Sequence, residues 1–204
     1  MRLAMAVSIA LLMLVHGCGK DPTAPTATDA ELIVLRFADT AFAHVEKAGS
    51  VWAVRGQERE LVLRYENYGS YAGEPYLRFR IPAQALLRDP AGRSYAPGDS
   101  VQITVTVDAG GRYLFEFEPS GLAFDPAHPA ELTVWYEWAD GDLDGDGDED
   151  AVDAELEEGL HVWRRETLGG EWQRLGTVRR KETVELQARV TGFTGFVIAT
   201  RNAR

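Results

Sequence analysis

The sequence predicts an all-β fold, an antiparallel β-sandwich, on three observations. Apolar and polar residues alternate through most of the chain after residue 31, turn-forming residues break these runs at short intervals, and helical patterns are few. Successive side chains of a strand point to opposite faces, so alternation marks strands with one face buried and one wet. Short strands joined by such turns bury their apolar faces by packing as two sheets.

Ala38 to Ala48 fits two readings: a helix by composition, or a strand in which Phe42, His44 and Glu46 alternate with Ala43, Val45 and Lys47. Leu61, Leu63 and Tyr65 set the next run, and Leu77, Phe79 and Ile81 the one after it. Pro82 to Leu87 suits a single helical turn, with Pro82 near its start, where a missing N–H leaves no bond unmade. The turns Pro90-Ala91-Gly92 and Pro97-Gly98-Asp99 lead to Val101, Ile103, Val105 and Val107; Gly110-Gly111 leads to Tyr113, Phe115 and Phe117. Leu132, Val134, Tyr136 and Trp138 enter an acidic segment, which Asp150 to Glu158 is expected to leave as a short helix. Leu160 and Val162 follow, then Trp172 after Gly169-Gly170, then Val184, Leu186, Ala188 and Val190, and finally Phe196 and Ile198. No repeat and no internal linker divides residues 31–204, which are expected to form one domain large enough for a core without disulfides.

The chain carries 32 acids against 21 bases, a net charge of −11. Eleven of the acids, and no Lys or Arg, fall between Asp140 and Glu158, so the rest of the chain is balanced. Within this segment Asp142-Leu-Asp144-Gly-Asp146-Gly147 follows the calcium-loop pattern D-x-[DN]-x-[DN]-G, and an acidic residue, Asp153, stands at position twelve. Calcium takes six to eight oxygens at roughly 2.3–2.6 Å. The expected donors are the side chains of Asp142, Asp144 and Asp146, the backbone carbonyl of Asp148, Asp150 directly or through water, and Asp153. Gly147 stands where the chain must turn sharply. Asp153 is one methylene shorter than the usual Glu, which points to weak affinity, around 10⁻⁴–10⁻³ M. No second such loop exists, so the segment resembles the single loops of dockerin-like modules rather than half of an EF-hand pair. The alternative is a solvated acidic linker without an ion.

Arg2 precedes an uncharged, largely apolar run from Leu3 to Val15, long enough for a signal peptide and shorter than the roughly 20 residues of a membrane span. Val15-His16-Gly17-Cys18 then resembles the lipobox of bacterial lipoproteins, with His16 the one departure. That resemblance implies a signal peptide over 1–17, cleavage before Cys18 and lipidation of this sole cysteine, hence a membrane partner; the alternative is an ordinary cleaved leader. Gly19, in place of an Asp, leans toward the outer membrane. Residues 18–30, with Pro22 and Pro25, read as an extended tether.

Phe117-Glu-Pro-Ser-Gly-Leu-Ala-Phe124 and Pro129-Ala-Glu-Leu-Thr-Val-Trp-Tyr136 resemble a passage of the ZU5 type of β-sandwich. Ile81-Pro-Ala-Gln-Ala-Leu86, Gly170-Glu-Trp172 and Val190-Thr-Gly-Phe-Thr-Gly-Phe196 are similar to other parts of it, with Gln84 in place of a Gly and Gly192-Phe193-Thr194 in place of His-Phe-Ser. The resemblance spans roughly residues 45–200. It implies a sandwich serving protein contact or support rather than catalysis; the cation loop read above is then an insertion between two of its strands, near Trp138 and Leu160.

No catalytic constellation is visible: His44, His128 and His161 are scattered, and Tyr68-Gly-Ser-Tyr-Ala72 lacks the flanking glycines of a nucleophile elbow. The acidic balance and the absence of a basic stripe argue against nucleic acid, and Arg179-Arg180-Lys181 reads as a solubilising hairpin tip. The expected function is therefore a membrane-anchored, non-enzymatic domain, stabilised by calcium, that serves protein interaction or envelope scaffolding. The rival is a calcium-dependent glycan-binding module in which Trp135, Trp163 and Trp172 stack on sugar rings; against it, the same tryptophans can simply cover the fold. Trp135 is out of phase with Tyr136 and Trp138 and should face away from their core.

Overall fold

The computed structural model describes residues 24–202; the expected signal peptide and Cys18 lie outside them. Its strands, in chain order, are β1 (Thr26–Ala27), β2 (Leu32–Val34), β3 (Ala48–Val54), β4 (Arg59–Arg64), β5 (Pro75–Ile81), β6 (Leu86–Arg88), β7 (Ser100–Val107), β8 (Leu114–Glu118), β9 (Leu122–Phe124), β10 (Ala130–Trp135), β11 (His161–Arg165), β12 (Trp172–Arg174), β13 (Thr177–Arg180), β14 (Glu185–Val190), β15 (Gly192–Phe193) and β16 (Gly195–Arg201). Two α-helices, α1 (Asp39–Phe42) and α2 (Ala151–Glu158), interrupt them.

An eight-stranded sheet, in the order β1-β12-β11-β16-β8-β7-β3 with β2 also on β16, faces a five-stranded sheet, β13-β14-β10-β5-β4. A small third sheet, β15-β9-β6, lies beside them. Every strand pair is antiparallel, as period-two alternation requires of sheets with one wet face. The alternating residues face inward as expected: Leu61 and Leu63, Leu77, Phe79 and Ile81, Ile103 and Val105, Leu132 and Val134, Leu186, Ala188 and Val190 are all buried. Across the layers Phe79 of β5 meets Phe117 of β8 edge-on at 5.1 Å, joining the two large sheets, and within the eight-stranded sheet Phe117 meets Phe196 of β16 edge-on at 5.1 Å.

Strand β16 is buried on both faces. Phe196 and Ile198 enter the main core, while Val197 and Ala199 join Trp163, Trp172, Leu114, Ala27 and Leu32 in a second cluster. The residues of that cluster are out of phase with the main core, and β1 and β2 supply its Ala27 and Leu32. This corrects the expected tether boundary. Thr26 and Ala27 pair with Gln173 and Trp172, and the Pro25 carbonyl accepts a hydrogen bond from the Arg174 N–H at 2.9 Å. The folded part thus begins before residue 31, because an extended Thr/Ala segment finds the free edge of β12.

Two local expectations also change. Pro82 to Leu87 is not a helical turn: a single turn bond runs from the Ala85 N–H to the Pro82 carbonyl (2.9 Å), and Leu86 then pairs with Phe124 in β6. The ambiguous Ala38 to Ala48 divides into α1, a turn and an extended stretch in which Val45 bridges Tyr65.

Candidate metal centre

The acidic segment joins β10, in the five-stranded sheet, to β11, in the eight-stranded one. Its entry is pinned by backbone bonds: the Ala38 N–H donates to the Trp138 carbonyl at 3.0 Å, and the Asp140 N–H donates to the Arg36 carbonyl at 2.8 Å. Beyond this point the chain folds on itself through its own carboxylates. Asp142 Oδ1 accepts from the Gly145 N–H at 2.7 Å and from the Asp146 N–H at 3.2 Å, while Oδ2 accepts from the Gly147 N–H at 2.9 Å. Asp144 Oδ1 accepts from the Asp146 N–H, and Asp146 Oδ1 from the Asp148 N–H, both at 3.2 Å. These local bonds are what Asp side chains make in turns. They wind the loop tightly, and φ values of +79° at Gly145 and +102° at Gly147 give conformations that residues with a Cβ rarely adopt.

The result is a convergence of carboxylates. Asp142, Asp144 and Asp146 each place an oxygen so that all three lie within 4.8 Å of one another. Two oxygens bound to one ion at roughly 2.3–2.6 Å can stand no more than about 5.2 Å apart, so the cluster admits a hard divalent cation. An ionised carboxylate has about four lone-pair sites, and Asp142, the most heavily bonded of the three, accepts three N–H bonds, one of them on Oδ2, so that oxygen keeps a site for a cation. The donor set therefore fits a divalent ion. The carboxylates of Asp148, Asp150 and Asp153 are not part of this group. The Asp148 side chain is exposed, and the Asp146 carboxylate beside it, helped by burial and by Asp150, Asp153 and Asp142, pushes the Asp148 carboxyl up. Asp150 caps α2, its Oδ1 accepting from the Val152 N–H at 2.6 Å.

Asp153, expected at position twelve of the loop, also clamps the loop to the helix that follows. It is 3% exposed, and its two oxygens accept from the N–H groups of Asp150 (2.9 Å), Leu143 (2.7 Å) and Asp144 (3.2 Å). The Asp150 N–H first, then those of Leu143 and Asp144, hold this carboxyl below the usual range. One side chain thus completes a capping box with Asp150 and ties the start of the loop to the start of α2. The signal for this was present in the spacing of Asp150 and Asp153, three residues apart ahead of a helix. The far end of α2 is anchored as well. Arg179 donates to Glu157 and, through Nε, to the Tyr136 hydroxyl at 2.9 Å; its Nη1 lies 3.2 Å from Glu158, which also pairs with Lys181. Arg179 and Lys181 therefore tie α2 to the β13 end of the five-stranded sheet instead of merely solubilising a hairpin. This long-range pairing has no counterpart in local sequence.

The tryptophans fall into two groups. Trp163 and Trp172 are buried, at 1% and 2% exposure, which corrects their expected availability for stacking on a ligand. The Trp163 indole donates to the Ala199 carbonyl at 3.0 Å, and the Trp172 indole donates to Asp29. The N-terminal strands β1 and β2 cover their side of the sheet with Ala27 and Leu32. Trp135 is half-buried on the opposite phase from Tyr136, as expected, with the Arg78 guanidinium 5.2 Å from its ring. The three histidines are not brought together: His44 stacks on Tyr68 at 5.3 Å, His128 lies 3.4 Å from Asp125, and His161 stands half-buried on β11.

Comparison of the chain with protein-family models, with curated proteins and with solved structures found no match.

Proposed function

We infer that this chain is a membrane-anchored, non-enzymatic domain of the bacterial envelope that works by contact with a partner, and that its acidic loop is a structural calcium site. The observation that carries the metal reading is the convergence of Asp142, Asp144 and Asp146 within 4.8 Å. Calcium is favoured over magnesium because the loop brings three carboxylates onto one point, more than the one or two that magnesium, which keeps most of its waters and demands near-ideal octahedral geometry, usually takes. The ligands would be the three converging carboxylates, the Asp148 carbonyl, Asp150 directly or through water, and Asp153, whose short side chain suits weak binding at extracellular calcium levels. Such an ion neutralises the charge that pushes Asp148 up and fixes the crossing from one sheet to the other. The anchoring part of the reading rests on the lipobox-like Val15-His16-Gly17-Cys18. The glycan-binding alternative loses two of its three rings to burial and is not retained.

Calorimetric titration tests the metal site. The wild-type chain should bind one calcium ion with Kd around 10⁻⁴–10⁻³ M, and Asp144→Ala and Asp146→Ala should show no binding while remaining folded. Unfolding of either variant in calcium-free buffer, or tighter binding of magnesium, would contradict the assignment. Fractionation of cells expressing Cys18→Ser tests the anchor, with release from the membrane as the expected outcome.

A further inference from the structure

Where the chain leaves β10, aromatic side chains surround a cleft of about 270 Å³. Tyr71, on the 3₁₀ turn Gly69–Tyr71, and Trp138 stand with ring centroids 4.3 Å apart, and Trp135 lines the same cleft. Tyr71 is exposed, and both tryptophans are half-buried. Tyr68 packs edge-on against Trp138 at 5.4 Å without lining the cleft, so it braces the ring. The charged residues of the lining are Glu74 and Glu137; the Arg78 guanidinium stands 5.2 Å from the Trp135 ring without lining the cleft, so Tyr71 and Trp138 are the rings offered to a ligand. Among the described residues, neither carboxylate takes part in an ion pair.

This chemistry selects its occupant. Ring faces carry negative potential and attract cations within about 6 Å. Ionised carboxylates accept hydrogen bonds and donate none, so the charged rim suits a group rich in N–H donors. A sugar hydroxyl needs donors as well as acceptors, and the lining offers only indole and phenol groups for that. A phosphate-bearing head group would meet two like charges. The volume lies just under the usual range of roughly 300–1,000 Å³ for ligand pockets, which fits one side-chain head group rather than an extended ligand.

We propose that this cleft is a contact point for the partner and takes the ammonium group of a lysine side chain on that partner. The proposal rests on the interaction-domain reading for its biology, but not on calcium or on the anchor. The test is a tryptophan-fluorescence titration of the full chain in a neutral detergent with N-acetyl-lysine methylamide at constant ionic strength, in calcium and in EDTA. Phosphocholine and methyl glucoside serve as comparators. Saturable binding is expected, tighter than for either comparator, and Tyr71→Ala and Glu137→Gln should each weaken it by at least about threefold. Should Tyr71→Ala fail to fold, Glu137→Gln, an exposed change of shape-conserving kind, carries the test alone. Absence of saturation, stronger binding of phosphocholine or glucoside, or unchanged affinity in Glu137→Gln would overturn the proposal. The calcium response of the same sample reports on the loop separately, so a cleft that binds nothing in a chain that still responds to calcium overturns only this inference.

Discussion

Asp144 and Asp153 belong to one loop, yet their substitution should have different signatures. Asp144 contributes to the converging oxygens, so Asp144→Ala should remove the response to calcium and leave stability in EDTA unchanged or slightly higher. Asp153 holds three backbone N–H groups from a nearly buried position, so Asp153→Ala should lower the melting temperature with or without calcium. Melting curves of both variants in the two buffers separate a ligand from a clamp. His161 supplies a test in pH. Burial first, then Arg174 and Arg179, push its pKa below 6.5. Below pH 6.5 the unfolded chain therefore takes up a proton that the folded chain refuses, and stability falls as pH drops from 6.5 toward the lowered value. Urea unfolding in EDTA should show this slope in the wild type and a flatter profile in His161→Gln. The loop pattern and its glycines were legible because D-x-D-x-D-G is a local code. The clamp that Asp153 makes was not foreseen because position twelve was read only as a ligand, while the N–H groups it holds are brought to it by the winding of the loop.

At the scale of elements, the short helix α2 is held at both ends, by the capping box and by Arg179 with Lys181. Its exit packs closely on β16: a Cβ on Gly159 would lie 2.3 Å from Thr200 Oγ1 and 3.3 Å from the Leu156 carbonyl oxygen. Gly159→Ala should therefore cost about 1–3 kcal/mol, the usual range for overpacking, read as a lower urea midpoint with unchanged slope. Strands were readable wherever alternation was strict, as in Leu77-Phe79-Ile81 on β5, because side-chain direction has a fixed period of two. They were not readable where a second layer covers the other face. On β11, Val162 enters the main core and Trp163 the second cluster, so both phases are buried and the pattern no longer says which face is wet. Trp163→Ala should destabilise by about 3–5 kcal/mol, a loss that an exposed ring would not produce.

Over the whole molecule, the two-sheet architecture follows from alternation and turn spacing, both local properties. The order of strands within each sheet depends on contacts between residues far apart in sequence, such as Thr26 with Gln173 and Leu32 with Arg201, which no local pattern encodes. The same distinction applies to the site: the loop's composition was visible, while its bracing by Arg179 required the fold. The acidic segment crosses between the sheets, so an ion there should stabilise the domain as a unit. At calcium ten times above Kd, mass action adds about 1.4 kcal/mol, which in a domain of this size raises the melting temperature by about 3–6 °C. Thermal unfolding of the chain in excess calcium, in excess magnesium and in EDTA tests this most directly. The account predicts one cooperative transition that moves up by that amount in calcium alone; coincident transitions in all three buffers would contradict it and leave the loop a solvated acidic crossing.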